Sequence, residues 1–303
     1  GGLETRLSPQ VTDRGSAPIK LKKYLIAIAA TGEYTKFHGG TKTLAHNAIM
    51  EALSYINLIT ERDFAVHFDL IANNDTIIFL DELTDPFTGN QTSGFMDQNP
   101  AAINPLVGIN NYDIGHVFGV YFPGNKATGV AIRSSTCTNN KARGCSTASP
   151  PDGEYFYKVA VHEMCHQLSG THTWNNCSED YVDQRSLISV FEPGSGSTLM
   201  SYAGGCGPNI VVSDNDPYFH LANILQVQEF VATGNGSTCG TEMDTNNNPP
   251  SADIPLNNDF FIPISTPFEL TGVGNDLDGD QLRYCFEQWD RDTVGIPATL
   301  GEA

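Results

Sequence analysis

Three histidines and a glutamate near the middle of the chain have the types and the spacing of a metal site. The segment reads HEMCHQLSGTH over residues 162–172. On an α-helix His162 and His166 share one face, so their imidazoles can bind one cation, and Glu163 beside them can reach a water molecule there. Catalytic zinc sites have three protein ligands and keep one position open for water, whose pKa the metal lowers to about 7. The segment therefore predicts a zinc centre with Glu163 as general base.

The third histidine strengthens this prediction. His172 follows His166 by six positions, with Gly170 between them. Glycine readily takes the left-handed conformation that ends a helix, and such an end would return His172 to the other two imidazoles. Two histidines alone are also compatible with surface side chains of an ordinary helix. We therefore expect His162, His166 and His172 to be the ligands. Five other histidines lack metal spacing and are expected to be structural: His38, His46, His67, His116 and His220.

The elements that would position this segment mix helices and strands up to about residue 232. Leu44, Ala48 and Ala52 recur at helical spacing and predict an amphipathic helix over about 42–61. The metal-site segment falls on a predicted helix over 157–168. Strands are predicted at 23–30, 64–71, 76–80, 112–122 and 128–132. A turn-rich loop is predicted at 85–100, with no helical periodicity after it, and a polar loop up to about 153. A last helix is predicted to start at Asp216-Pro217 and to lead into 221–230.

Composition limits the classes of partner. The chain has 303 residues with 35 acidic and 16 basic side chains, a formal charge of −19. Nucleic-acid binding requires clustered Lys and Arg, and docking on an anionic membrane requires a basic surface, so we expect neither. No apolar run reaches the ~18 residues that span a membrane. An acidic surface suits a soluble extracellular protein, although a merely solvated surface would look the same.

The cysteines indicate an oxidising compartment. The chain has seven of them: Cys137, Cys145, Cys165, Cys177, Cys206, Cys239 and Cys285. None forms the CxxC pair of a zinc ribbon or redox site, and they lie among Gly, Asn and Thr, so we interpret them as disulfides of a secreted protein. Because the number is odd, one cysteine has no partner within the chain, and the sequence does not determine how the others pair. We expect Cys165, next to His166, to be a packed thiol or a disulfide partner and not a ligand.

Composition also divides the chain. Residues 1–22 are polar and are interpreted as an N-terminal extension or propeptide remnant, and 241–250 is a linker by its Gly, Asn, Thr and Pro content. Residues 251–303 contain three short predicted strands, at 260–264, 268–271 and 281–286. Their Asp-rich turn resembles those of immunoglobulin-like and cadherin-like modules, which implies an incomplete module with a partial β-sandwich. Asp276, Asp278 and Asp280 could bind structural Ca²⁺, or form a plain acidic turn.

Several segments together resemble the metzincins, specifically the bacterial reprolysin-like metallopeptidases. The family pattern HExxHxxGxxH corresponds to His162, Glu163, His166 and His172, which the resemblance implies are the zinc ligands and the general base. The stretch GSGSTLMSYA over 194–203 resembles the family's Met-turn, in which Met200 would be the hydrophobic floor of the site. Residues 30–34, 111–118 and 216–220 extend the resemblance, which covers about residues 23–240. One position departs: Ser169 stands where the family has glycine, so we expect the left-handed residue to shift to Gly170.

The resemblance implies a fold and an activity. The fold class would be α/β (α+β in the metzincin manner), with a twisted mixed sheet, two long helices, an active-site cleft and a smaller C-terminal subdomain that carries the Met-turn. The function would be that of a zinc endopeptidase acting on protein or peptide substrates. Apart from the resemblance, we expect a secreted, monomeric protein in which Thr128–Ile132 is an edge strand that pairs with an extended substrate. Tyr202, two residues after Met200, would be a fifth ligand or an oxyanion donor, or else a core tyrosine. The alternatives are a non-catalytic adhesion or binding module on the same scaffold, and a zinc hydrolase with a non-protein substrate.

Overall fold

The computed structural model describes residues 19–125, 127–177, 179–255, 263–287 and 289. The described residues form two compact units. One contains residues from 22–242 together with 287 and 289, and the other contains 19–21 and residues from 243–286. The predicted domain boundary at about residue 240 stays a prediction, as does the extension at 1–22, most of which lies outside the described residues. Of the predicted linker, Thr241–Asp244 forms a short strand.

A mixed, mostly parallel sheet is the frame of the larger unit. Its strands are β1 (Lys20–Ala30), β2 (Val66–Leu70), β3 (Ile114–Val120), β4 (Gly129–Ala131) and β5 (Gly144–Ala148), with β6 (Thr241–Asp244) pairing with β1. The order across the sheet is β2-β1-β3-β5-β4. All these neighbours are parallel except β4, which runs antiparallel to β5 and leaves its other side as the edge of the sheet. The predicted α/β class is confirmed.

Helices cover both faces of this sheet. They are α1 (Gly32–Phe37), α2 (Lys42–Phe64), α3 (Thr92–Val107), α4 (Gly153–Gln167) and α5 (Leu221–Ala232). Alternate residues of β1 point to opposite faces. Tyr24, Ile26 and Ile28 belong to the core cluster that also includes buried side chains of α2 and α4, whereas Ala27 and Ala29 belong to the cluster that includes those of α3. None of the helices in the described part of the chain is long and apolar enough to cross a membrane.

One helix and one strand differ from the sequence-based predictions. The predicted loop at 85–100 is wrong over its second half, because residues 92–100 belong to helix α3, in which Phe95, Ile103 and Val107 are buried at helical spacing. Pro100 and Pro105 inside this helix obscured the pattern, because proline usually ends a helix. The predicted polar loop before 153 contains β5, whose residues Gly-Cys-Ser-Thr-Ala are all buried. Small and polar side chains there give no strand signal in the sequence.

Two further boundaries are also corrected. The predicted strand at 76–80 is a 3₁₀ turn over Asn74–Ile77 followed by a single bridge between Ile78 and Ala30. Helix α5 begins four residues after Pro217, with His220 as its N-cap, whose Nδ1 accepts a hydrogen bond from the Ala222 N–H at 3.1 Å. The preceding residues are held by the Met-turn segment, because the Leu199 N–H donates to the Tyr218 carbonyl.

The smaller unit contains a two-stranded antiparallel sheet of β7 (Ser251–Asp253) and β8 (Val273–Asn275). Residues 268–271 and 281–286, predicted as strands, are not in strands. Most of the predicted strand at 260–264 lies outside the described residues. In the acidic turn, Asp276 Oδ1 accepts hydrogen bonds from the backbone N–H groups of Asp278 and Asp280, at 2.8 and 3.1 Å. The partial β-sandwich therefore stays a prediction.

Candidate metal centre

Helix α4 brings the first two predicted ligands to the surface of a cleft. Its N-cap is Asp152, whose carboxylate accepts a hydrogen bond from the Gly153 N–H at 2.8 Å. Ala160, Val161 and Met164 are completely buried in the core. This packing fixes the rotation of the helix about its axis, so that His162, Glu163 and His166 line the cleft.

The turn after α4 positions the third ligand, but not in the way the sequence suggests. Ser169 itself has a left-handed conformation with φ +88°, and Gly170 does not. The Gly170 N–H donates to the Cys165 carbonyl at 2.8 Å and the Ser169 N–H donates to the His166 carbonyl at 2.9 Å, which is the Schellman pattern of a helix end. Gly170 is needed for a different reason, because a Cβ there would overlap the buried Cys165 sulfur. The expected shift of the left-handed residue to Gly170 is therefore wrong.

The three histidine side chains converge on one point. The Nε2 atom of His172 lies 3.3 Å from His162 Nε2 and 3.1 Å from His166 Nε2. Ligands about 2.05 Å from a tetrahedral zinc ion are about 3.3 Å apart. Within the described residues, this is the one group of three histidine, cysteine or carboxylate side chains whose donor atoms converge. The predicted triad is thus brought together, and the carboxylates of Asp276, Asp278 and Asp280 form no such group, so the calcium hypothesis gains no support.

Each imidazole is oriented by a backbone carbonyl. Nδ1 of His162 donates to the Leu199 carbonyl at 2.6 Å, and Nδ1 of His166 donates to the Gly170 carbonyl at 2.8 Å. Nδ1 of His172 donates to the Gln184 carbonyl, also at 2.8 Å. A carbonyl oxygen can only accept, so each Nδ1 carries the proton and each neutral Nε2 presents a lone pair. Three lone pairs facing one another repel unless a cation lies between them, and the donor set therefore fits a metal such as zinc.

Burial keeps these imidazoles in the form that binds metal. Desolvation lowers the pKa of His162 to about 3, with a contribution from nearby His172, and it lowers the pKa of His172 to about 4. The pKa of His166 is also well below its usual value, first because of desolvation and then because of the two neighbouring histidines. The three rings are therefore neutral near pH 7, as metal binding requires.

Glu163 lies beside the triad with no hydrogen-bond partner among the described residues. Its side chain is 6% exposed, and burial raises the pKa of its carboxyl group to about 8. A bound cation would stabilise the carboxylate form and lower that pKa. Gly129 of the edge strand β4 packs directly against this side chain, since a Cβ at Gly129 would lie 2.7 Å from Glu163 Cδ.

Tyr202 also lines this cleft. Its ring lies 4.7 Å from the His172 ring and 5.3 Å from the Trp174 ring, measured between centroids. Its hydroxyl donates a short hydrogen bond to the Gln184 side-chain oxygen. The phenol is thus inside the cleft and not in the core, although this position does not define its role. Desolvation by burial raises its pKa well above the usual value.

The cleft around these groups has a volume of about 820 Å³. It is lined by the edge strand, from Thr128 to Ala131, and by Leu199, Ser201 and Tyr202 of the Met-turn segment. Met200 is fully buried beneath it, and its carbonyl accepts a hydrogen bond from the Thr173 N–H at 3.2 Å.

Sequence-based reasoning missed three residues of this site. Gln184 holds His172 through its carbonyl and Tyr202 through its amide, Glu192 supports the Met-turn from below, and Gly129 gives Glu163 its space. Gln184 and Glu192 lie in a segment without hydrophobic periodicity, so nothing local in the sequence marks them. Gly129 sits in a predicted strand, where an isolated glycine is a signal of close approach.

The cysteines form two disulfides among the described residues, Cys137–Cys239 and Cys177–Cys206. The second encloses the residues from Gln184 to Tyr202. Cys165 belongs to neither bridge and is buried in the core, so of the two expectations for it the packed thiol is the one observed. His116 is likewise buried, on β3, and does not belong to the converging group of donor atoms.

One comparison with known proteins identifies a family. The sequence profile of the reprolysin-like metallopeptidase family M12B matches residues 21–228. No curated protein matches the sequence. A solved structure described as "Structure of a chaperone-substrate complex" contains a similar chain with 12% identity and a TM-score of 0.46, and the match covers 71% of this chain and 34% of that one. This chain therefore spans about a third of that chain's length, and the likeness says nothing about function. Because the family profile covers more than half of the sequence, the chain belongs to the reprolysin-like metallopeptidases of family M12B.

Proposed function

We propose that this chain is a secreted zinc endopeptidase that cleaves protein substrates, with His162, His166 and His172 as zinc ligands and Glu163 as general base. Membership of the family makes it a zinc peptidase that acts on proteins or peptides. The observation that carries the assignment to these residues is the convergence of three neutral Nε2 atoms whose Nδ1 protons are all held by carbonyls. Two disulfides support a secreted protein, because such bonds persist in oxidising compartments.

Substrate binding follows from the edge of the sheet. Strand β4 pairs with β5 on one side only, and its other side borders the cleft. An extended peptide can add to such an edge by main-chain hydrogen bonds. A peptide paired with Gly129 would present a carbonyl carbon near Glu163. Glycine has no side chain, so the backbone of β4 lies directly against the Glu163 carboxylate.

The protein groups then carry the proton transfers. Zinc, when bound, supplies Lewis-acid polarisation of the carbonyl and lowers the pKa of water. Glu163 takes a proton from the attacking water and later donates one to the leaving amine. The Tyr202 hydroxyl faces the same cleft and, released from Gln184, can donate a hydrogen bond to the oxyanion that develops on the carbonyl oxygen.

Hydrolysis of unfolded casein by the wild-type chain and by Glu163→Ala, at matched zinc content, tests this proposal. The variant should keep its zinc, because Glu163 is not a ligand, and its turnover should fall by about 10²–10⁴-fold, as is usual for loss of a general base. Glu229→Ala, at an exposed glutamate on α5, is the matched control and should keep full activity.

The result can also contradict the proposal. Loss of zinc from Glu163→Ala would exclude its role as base, and retention of zinc by His166→Ala would exclude the ligand set. Equal and negligible hydrolysis by zinc-loaded wild type and variant would favour the binding-module alternative. The expected monomeric state stays a prediction.

A further inference from the structure

A buried carboxylate lies behind the histidine triad. The Glu192 side chain is 6% exposed and accepts four hydrogen bonds. Its Oε1 accepts from the backbone N–H groups of Ser197 and Thr198, at 2.8 and 2.9 Å. Its Oε2 accepts from the Thr198 hydroxyl at 2.7 Å and from the Thr173 hydroxyl in a short hydrogen bond. A carboxylate removed from water requires such full hydrogen bonding, and the four donors come from two separate segments.

The first of these segments carries a ligand directly. Thr173 is the residue after His172, and its backbone is also paired with Glu192. The Glu192 N–H donates to the Thr173 carbonyl at 3.0 Å, and the Asn175 N–H donates to the Glu192 carbonyl at 2.9 Å. The side chain and the backbone of Glu192 therefore both hold the segment that follows His172.

The second segment holds another ligand through its backbone. Thr198 immediately precedes Leu199, whose carbonyl accepts the Nδ1 proton of His162 at 2.6 Å. Two of the three hydrogen bonds that Glu192 accepts here come from the backbone N–H groups that start this turn. A shift of the turn would move the Leu199 carbonyl and rotate the His162 ring with it.

We propose that Glu192 is a positioning residue that holds His162 and His172 in place for the metal, because its one buried carboxylate joins the Met-turn to the segment after His172. The proposal rests on the zinc ligands assigned above. Partners that orient metal-bound histidines have measurable effects, and their loss typically costs 10- to 100-fold in metal affinity. Glu192 does not contact the histidines itself, but it holds the residues beside His172 and beside Leu199, and so affects two ligands at once.

The test measures zinc affinity by competition with a chromogenic chelator, alongside thermal unfolding of the metal-free chain. Glu192→Ala should bind zinc about 10- to 100-fold more weakly than wild type. Glu192→Gln should recover most of that affinity, because its amide oxygen can accept from the two N–H groups and its amide N–H can donate to the two hydroxyls. Ile103→Ala is the control for lost stability, since Ile103 is buried in the other core cluster and its replacement should lower the unfolding temperature without changing zinc affinity.

Unchanged zinc affinity in folded Glu192→Ala would overturn the proposal, as would an equal loss in Ile103→Ala. If Glu192→Ala does not fold, Thr173→Val removes one of the four hydrogen bonds while keeping the shape of the side chain, and it should still weaken zinc binding severalfold; no change would again overturn the proposal. Failure of the underlying function has a different signature: the wild-type chain would bind no zinc, or would bind it as tightly after His166→Ala.

Discussion

At the scale of single residues, the backbone of Gly129 packs directly against the Glu163 side chain. The backbone of the edge strand lies so close to the carboxylate that a methyl group has no room, and the nearest atoms are the movable end of the Glu163 side chain. A substitution there would displace the proposed base while leaving the three histidines in place. The contact thus separates the effect of a misplaced base from the effect of a lost metal.

We predict that Gly129→Ala lowers kcat/KM by about 10- to 100-fold without loss of zinc, because a displacement of about 1 Å at a reacting group has effects of that size. The measurement is casein hydrolysis together with zinc content after dialysis. Gly94→Ala is the matched control, because a Cβ at this position in α3 meets no atom nearer than Gln91 Cβ at 3.9 Å, and its activity should be unchanged. Full activity of Gly129→Ala would show that the carboxylate has another productive position.

At the scale of elements, the end of helix α4 stores strain beside the site. Ser169 has φ +88°, a conformation that costs a residue with a Cβ on the order of 1 kcal/mol relative to glycine. The strain is held by the Schellman hydrogen bonds and by a 3.1 Å hydrogen bond from the Ser134 hydroxyl to Ser169 Oγ. His172 lies three residues further on, so the stability of this turn bears on the third ligand.

In a Ser134→Ala background, where the hydrogen bond to Ser169 Oγ is already absent, Ser169→Gly should raise the free energy of unfolding by about 1 kcal/mol, since glycine takes positive φ without steric cost. Urea unfolding of the metal-free chain measures it. The same chemical change at Ser54, inside helix α2, should lower the free energy of unfolding by about 0.5–1 kcal/mol, because glycine is unfavourable in a helix with ordinary φ. Effects of the same sign at both positions would contradict the role given to the Ser169 backbone.

Helix α4 is also fastened to the sheet by a buried polar contact. Gln167 at its last turn accepts a hydrogen bond from His116 Nδ1 at 2.9 Å, and the other ring nitrogen of His116 accepts from the Ser146 hydroxyl at 2.9 Å. The Gln167 amide donates in turn to the Gly115 carbonyl at 3.0 Å. Desolvation lowers the pKa of His116 from 6.5 to about 4, so the ring is neutral in the folded chain.

The burial of neutral His116 predicts a loss of stability in mild acid. The unfolded chain binds a proton at His116 near pH 6.5 and the folded chain only near pH 4, so the contribution of His116 is complete above pH 6.5 and is lost as the pH falls to about 4. The shift corresponds to about 3 kcal/mol. The free energy of unfolding of wild type minus that of His116→Gln should fall by this amount across the interval, and a constant difference would contradict the prediction.

The elements also show what the sequence could and could not predict. The triad and its helix were predictable because His162, Glu163 and His166 are fixed by local helical spacing, and His172 by a short turn. Strand β5 was not, because its parallel pairing buries Ser146 and Thr147, residues that are usually exposed. Gln184 and Glu192 were not, because their roles depend on which distant carbonyl or hydroxyl the folded chain brings to them, and no local pattern encodes that.

At the scale of the whole molecule, two disulfides stabilise the larger unit in different ways. Cys137–Cys239 joins residues 102 positions apart, whereas Cys177–Cys206 joins residues 29 positions apart. The entropy lost by the unfolded chain grows with loop length, which gives about 4.7 kcal/mol for the longer loop and about 3.6 kcal/mol for the shorter. The shorter loop, however, contains Gln184, Glu192, Met200 and Tyr202, which contact or support the metal centre.

We therefore predict that the longer bridge contributes more to stability and the shorter bridge more to zinc affinity. Replacing Cys137 and Cys239 by alanine should lower the free energy of unfolding by about 1 kcal/mol more than replacing Cys177 and Cys206. Replacing Cys177 and Cys206 should instead weaken zinc binding more, because it frees the segment whose Gln184 carbonyl orients His172. Urea unfolding and chelator competition on the two double variants measure both quantities. If the variant without the longer bridge lost more zinc affinity, the metal centre would depend on the stability of the whole unit and not on the loop that surrounds it.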